Sequence, residues 1–258
     1  MAYHGRVLLL ALDTSAGASA ALVSLSPRSS SSPGASQSPA GPEPPGHAEP
    51  VGPQVLAAEQ TPATTAHAEW LVPAAQRVLA ASEVAAEEIT GVVVGVGPGP
   101  FTGLRVGLAA AHGLALGWRV PVHGVCSLDA LALRTVESTT VRGEFLVATD
   151  ARRREVYWAE YVTDDDGSRL IQGPFVSSPA ELPDLPAVGA GVGLYPEVLQ
   201  LAEQAPAEAA EWTPHAAELG CLAASALSGD LFGVLCEPRP LYLRESDAQV
   251  PAQMRKAG

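Results

Sequence analysis

The sequence predicts an α/β fold in which helices cover a mixed sheet. Two observations carry that prediction. Residues 7–12 and 92–96 are unbroken apolar runs rich in Leu and Val, the pattern of strands buried on both faces. The second run passes through Gly97-Pro98-Gly99-Pro100 into Phe101-Thr102-Gly103-Leu104-Arg105 and an apolar helix that ends near Gly117. Strand, Gly-rich turn, helix is the unit by which α/β proteins build such layers.

Each element follows from its residues. Residues 7–12 make the first strand and 18–25 a second, joined by a short turn. Between 26 and 53 the chain holds eight Pro, seven Ser and four Gly, with Val51 the only branched aliphatic. Such a segment has too little apolar surface to offset its ordering entropy, so a disordered extension of a hairpin over 26–54 is expected. Surface insertions of this kind cost little in loop closure. A third strand resumes over 55–58. Residues 67–81 read as a helix with Trp70, Leu71, Ala74, Val78 and Leu79 on one apolar face, distorted locally by Pro73. A short helix is expected over 83–89, a strand over 120–125 and a helix near 128–134. A second unit begins near Glu144, with strands over 145–150, 155–162 and 169–176. Ser178-Pro179 and Thr213-Pro214 read as helix starts, the latter helix running to about Leu227. A short strand is expected over 187–191.

Composition excludes several classes. Net charge is −13, from 15 cationic and 28 acidic side chains. Strong grip on nucleic acid phosphates needs a basic face, and the only dense basic run is Arg152-Arg153-Arg154. Cys126, Cys221 and Cys236 are odd in number and lack ligand spacing, which argues against a disulfide framework and a zinc site. No leader precedes the first strand and no apolar run reaches spanning length, so a cytoplasmic protein is expected.

The string Gly97-Pro98-Gly99-x-Phe101-Thr102-Gly103-Leu104-Arg105 resembles the signature of the TsaB family, the dimerisation subunit in bacterial synthesis of threonylcarbamoyladenosine on tRNA. Leu10-Ala11-Leu12-Asp13-Thr14-Ser15, His67-x-Glu69-x-Leu71-x-Pro73, Asp150-Ala151-Arg152-Arg153-x-Glu155-Val156-Tyr157 and Pro240-Leu241-Tyr242-Leu243-Arg244 resemble further family motifs in the same order. Pro100 departs from the Ser most common there. The resemblance implies a two-subdomain actin/Hsp70-like (ASKHA) ATPase fold with mixed central sheets flanked by helices, divided as 1–126 and 127–258.

The resemblance also implies the function. A catalytic TsaD-type paralogue transfers the threonylcarbamoyl group to an adenosine beside the anticodon, and the present chain pairs with it and supports it without catalysing. A TsaE-type ATPase belongs to the same complex, a homodimer forms when the paralogue is absent, and tRNA is met only indirectly. In the catalytic relatives the strand after the GPG helix ends in a metal-binding His-x-x-x-His motif. Here Ser127 and Leu131 stand at those positions, and neither Leu nor a lone Ser holds a metal. No intrinsic cofactor is therefore expected, while ATP or ADP at or near the partner interface stays open.

Two groups of site residues follow. Asp13 and Thr14, with Gly97 and Gly99, correspond to a vestigial nucleotide cleft; the bland alternative is that Asp13 or Thr14 caps its own turn. Pairing through the N-terminal helices would use His67, Trp70, Leu71 and Ala74 on the first helix. On the GPG helix it would use Gly103, Leu104, Gly107, Leu108 and Ala111. The spacing of small residues at 103, 107 and 111 equally suits packing on the protein's own sheet. The rival functions are an active ATP-dependent kinase or transferase and, less favoured, a metallopeptidase. The rival kinase lacks a second Gly-rich phosphate turn, because the corresponding hairpin carries Arg152–154 instead.

Overall fold

The structure, a computed structural model, describes residues 6–26, 52–61, 67–165 and 167–244. The expected extension over 26–54 and the chain end after 244 lie almost wholly outside those residues. Strand β1 (Val7–Asp13) is buried throughout, because helices cover both faces of its sheet. Leu8, Leu10 and Leu12 face one layer, and Val7, Leu9 and Ala11 face another. The side-chain alternation of a strand makes that division obligatory.

Antiparallel β2 (Ala18–Leu25) pairs with β1, placing Leu22 opposite Leu10. Strand β3 (Gln54–Thr61) continues antiparallel at the sheet edge. Strand β4 (Gly91–Gly95) lies parallel to β1, and β5 (Val122–Val125) parallel to β4. Helices α1 (His67–Ala81) and α2 (Phe101–Trp118) cover one face through Leu71, Ala74, Val78, Leu108 and Ala111.

A second sheet holds antiparallel β6 (Gly143–Asp150), β7 (Val156–Asp164) and β8 (Gly167–Ser177), with β9 (Ala187–Val188) parallel to β6. Helix α3 (Ser127–Ser138) packs on one face of it through Leu128, Leu131 and Ala132. Helix α4 (Ala190–Leu194) packs on the other, where Val192 meets Leu146 and Ala148.

The chain then returns. Helix α5 (Ala216–Ser228) buries Leu219, Leu222 and Ala223 on the second face of the first sheet. Strand β10 (Leu235–Cys236) pairs antiparallel with β5 and gives the order β10-β5-β4-β1-β2-β3. A division at residue 126 therefore does not separate the two sheets, because the first is completed by residues beyond 215. Three local expectations also change. The stretch 83–89 holds one 3-10 turn, Ala86–Glu88, and Ser178-Pro179 opens only another, Pro179–Glu181. The expected strand over 187–191 stops at Val188, because Gly189 takes φ +103° and turns the chain into α4.

Candidate functional site

Asp13 ends β1 at the junction of the two sheets. Its carboxylate is sealed, with 1% of the residue exposed. One oxygen accepts the Ser15 backbone N–H at 2.9 Å and the Ser15 hydroxyl at 2.7 Å, and the other accepts the Ser127 hydroxyl at 2.7 Å. Gly97 N–H in turn donates to Ser127 Oγ at 3.2 Å, and Ser127 N–H to Gly97 O at 2.8 Å. Burial pushes the Asp13 carboxyl above its ordinary range, and the donors of Ser15 and Ser127 oppose that rise. Glycine at 95 is what admits the carboxylate, since a Cβ there would fall inside it.

Thr14 is equally committed. Its hydroxyl donates to Gly103 O at 2.8 Å, tying β1 to the first turn of α2. The cleft role expected of Asp13 and Thr14 does not match this placement. Both side chains are bonded inward, and the turn-capping alternative describes Asp13. Gly97 holds φ +100° beside Leu104, and Gly99 sits with its Cα against the Ser15 backbone, where a Cβ would be 2.7 Å from Ser15 O. These glycines close the turn onto its neighbours.

Ser127 and Leu131 are fully buried. The hydroxyl of Ser127 serves Asp13 and Gly97, and Leu131 belongs to the core beneath the second sheet. Neither side chain is an imidazole, thiolate or carboxylate. Among the described residues no group of three or more His, Cys, Asp or Glu could hold one. His112 Nε2 instead lies 3.2 Å from Pro238 O, and His123 is half-buried on β5, where desolvation lowers its pKa.

The open space lies beside this lock. A cleft of about 570 Å³ separates the turn after β1 from the second sheet. Ser15, Gly17, Thr149, Asp150, Glu211 and His215 are among the residues that wall it. Burial and the nearby Arg134 pull the His215 imidazole down to about 4, so it is neutral at physiological pH. Arg152 borders the cleft but pairs with Asp150 at 3.0 Å. Among the described residues that wall it, the basic side chains are thus one paired arginine and one neutral imidazole, a poor match to the charge of a triphosphate. The Gly189-x-Gly191-x-Gly193 spacing serves packing. Cβ atoms at 189 and 191 would strike Ala148, and one at 193 would strike Ala210 O. Of the three, only Gly193 reaches the cleft.

The expected pairing face is corrected as well. Leu71, Ala74, Leu104 and Ala111 have no exposed surface, Leu108 has 5%, and Gly103 and Gly107 are buried. A Cβ at Gly107 would collide with Thr14 Oγ1. The small-residue stripe therefore brings α2 onto its own sheet. Trp70 is half-buried against the same core, and the side chain of His67 lies outside the described residues. The outward face of α2 carries Ala109, Gly113 and Leu116, the last 81% exposed. Sequence reading missed Gly95, Ser15 and the Ser127 hydroxyl as parts of the lock. Only Asp13-x-Ser15 had a local signal, the spacing of a side-chain-to-backbone turn.

Comparison with known proteins agrees with this framework. A family model described as TsaD, tRNA N6-adenosine threonylcarbamoyltransferase, matches residues 59–218. An uncharacterised protein of Mycobacterium leprae is 54% identical over 129 residues, 49% of this chain and 33% of that protein. An uncharacterised protein of Mycobacterium tuberculosis H37Rv is 48% identical over 136 residues, 52% of this chain and 59% of that protein. The tRNA threonylcarbamoyladenosine biosynthesis protein TsaB of Escherichia coli K12 is 41% identical over 104 residues, 39% of this chain and 43% of that protein. The chain thus spans between 33% and 59% of the length of these curated relatives. The solved structure of YeaZ from Pseudomonas aeruginosa superposes with TM-score 0.66 at 27% identity, covering 92% of this chain and 100% of that one. Two mixed sheets flanked by helices, shared with that structure, are the actin/Hsp70-like architecture. The chain belongs to the TsaD family of tRNA N6-adenosine threonylcarbamoyltransferases, and within it to the TsaB group.

Proposed function

We propose that this chain is the non-catalytic subunit of a tRNA threonylcarbamoyladenosine system, binding and positioning a TsaD-type catalytic paralogue. The observation that carries the reading is the Asp13–Ser127 lock. The acid at the end of β1 and the residue at the first histidine position satisfy each other, out of reach of a substrate. A phosphoryl-transfer site needs its carboxylate free to meet a metal and phosphates. The chemistry, the metal and the tRNA contact then belong to the partner. A TsaE-type ATPase completes the assembly, a homodimer forms in the paralogue's absence, and ATP or ADP, where one binds, lies at or near the partner interface. The setting is the cytoplasm; among the described residues no helix is long and apolar enough to cross a membrane.

Pairing would use the outward faces of α1 and α2, through Val72, Ala109, Gly113 and Leu116, rather than the buried stripe. The test is reconstitution with the host's paralogue. The isolated chain should hold substoichiometric zinc, iron and magnesium and show no threonylcarbamoyl transfer, and transfer by the paralogue should depend on its addition. Turnover by the chain alone, or one tightly held metal per chain, would favour the rival kinase or transferase.

A further inference from the structure

Residues 237–244 run from the first sheet to the second, and the subunit role makes no use of them. Their first part is seated beside β4 and α2. Leu241 N–H donates to Val96 O at 2.8 Å, and His112 Nε2 on α2 lies 3.2 Å from Pro238 O. Tyr242 stacks on Phe101 with ring centroids 4.8 Å apart. Arg105 fixes that pair, its Nε donating to Tyr242 Oη at 2.9 Å and its guanidinium lying 3.6 Å from the Phe101 ring centre. Two residues later the segment has crossed to the hairpin between β6 and β7. There Arg244 Nη1 donates to Ala151 O at 2.8 Å, and its other terminal nitrogen pairs with Glu155.

The hairpin offers that carbonyl because of its turn. Arg152, Arg153 and Arg154 hold φ of +61°, +56° and +63°. In that conformation Glu155 N–H closes the turn on Arg152 O at 3.0 Å, so Ala151 O takes its donor from outside the hairpin. Ala151 is buried, where a carbonyl left without a donor is costly. The hairpin makes little other contact with α2. A cavity of about 400 Å³ lies between Pro100 and Phe101 on one side and Asp150 and Arg152 on the other. Tyr157 Oη reaches across to Gly99 O at 3.5 Å, the outer limit of a hydrogen bond. Elsewhere the two sheets meet at the Asp13–Ser127 lock and through the Arg134–Glu218 pair, at 2.6 Å between α3 and α5. A contact carried by a few side chains beside a void leaves two packed units free to hinge.

We propose that residues 237–244 are a strap that sets the width of the 570 Å³ cleft, with Arg244 as its clasp. Bound to Ala151 and Glu155, Arg244 holds the second sheet toward the first; released, it lets the cleft open. Clasp and cleft wall move together. The hairpin carries Asp150 and Arg152 of that wall, and α4, which brings Leu194 to it, packs on β6 through Val192. The two bonds of Arg244 are charge-assisted and partly shielded from water, its side chain being 26% exposed, so they outweigh an ordinary surface pair. The strap stands on this chain alone, whether or not the chain is a non-catalytic subunit.

The test measures the cleft in the full chain by electron spin resonance. Spin labels on non-natural side chains replace Gln60 on β3 and Leu194 on α4, two exposed residues that line the cleft from opposite sheets. The otherwise wild-type chain should give one narrow distance distribution. Arg244→Ala should add a longer component, its share raised about tenfold or more by the loss of a hydrogen bond to a charged group. A melting curve on the same sample checks that the variant is folded. Arg244→Gln keeps a donor for Ala151 O without the charge that pairs with Glu155, and should open the cleft less; it decides the matter if Arg244→Ala does not fold. Arg77→Ala, which breaks an exposed pair between α1 and β3, should leave the distribution as it is. A wild-type distribution in every folded Arg244 variant overturns the proposal. So does equal opening in Tyr157→Phe, which would place the clasp on the Gly99 contact instead.

Discussion

Asp129 is a buried carboxyl whose charge state changes just below neutral pH. Burial lifts its carboxyl from 3.8 to about 6, and the hydrogen bond from Tyr161 Oη at 2.7 Å opposes that rise. The folded state therefore holds its proton more tightly than the unfolded chain does. Between pH 4 and 6 this group makes stability fall as pH rises, and above that window the full cost is present. Two units at 1.36 kcal/mol each set an upper bound of about 3 kcal/mol. Asp129→Asn keeps an acceptor for Tyr161 and removes the titration. The variant's stability relative to wild type should climb by up to that amount from pH 4 to 7, measured by urea unfolding. A difference that stays flat across the window would refute the assignment. At this scale the sequence is only partly legible. Asp13-x-Ser15 announces a turn, but Ser127 lies 114 positions away from its carboxylate. Nothing local marks Gly95 as the residue that makes room for it.

At the scale of elements, helix α2 separates what spacing can and cannot decide. The recurrence of Gly103, Gly107 and Ala111 correctly marks a close backbone approach; which backbone approaches is a tertiary fact. The approaching group is β1, through Thr14. Gly107→Leu should then overpack the α2–β1 junction and cost about 1–3 kcal/mol or more, visible as a lowered melting temperature. Leu116→Glu, on the open face, should leave melting within about 0.5 kcal/mol of wild type and block pairing with the paralogue or itself in sedimentation. A stable Gly107→Leu protein that no longer pairs would restore the buried stripe as the interface. Helix α1 is legible to its ends, because its apolar period is continuous over 67–81. Strand β10 is not. Two residues carry no period, and they pair with β5 only because α5 has already brought the chain back.

For the whole molecule, the return of the C-terminal segment sets what can fold alone. The first sheet is layered on both faces, and the two layers come from opposite ends of the chain. Helices α1 and α2 cover Leu8, Leu10, Leu12 and Leu22, whereas α5 covers Val7, Leu9, Val23, Leu25 and Val93. Ala216 N–H is tied to the same sheet, donating to Ser19 Oγ at 2.9 Å. A fragment of residues 1–126 would retain the first layer and lose the second. Uncovering five Val and Leu side chains at roughly 1.5–3 kcal/mol each removes on the order of 10 kcal/mol. That is comparable with the whole stability of a domain, about 5–15 kcal/mol. The fragment should therefore be insoluble, or collapsed with dye-accessible apolar surface and no cooperative melting transition. Restoring residues 127–244 in trans should recover a sharp transition if the second layer is what is missing. Cooperative melting of the 1–126 fragment by itself would show that α1 and α2 suffice, and that the two-sided layering of β1 is not what holds the first sheet.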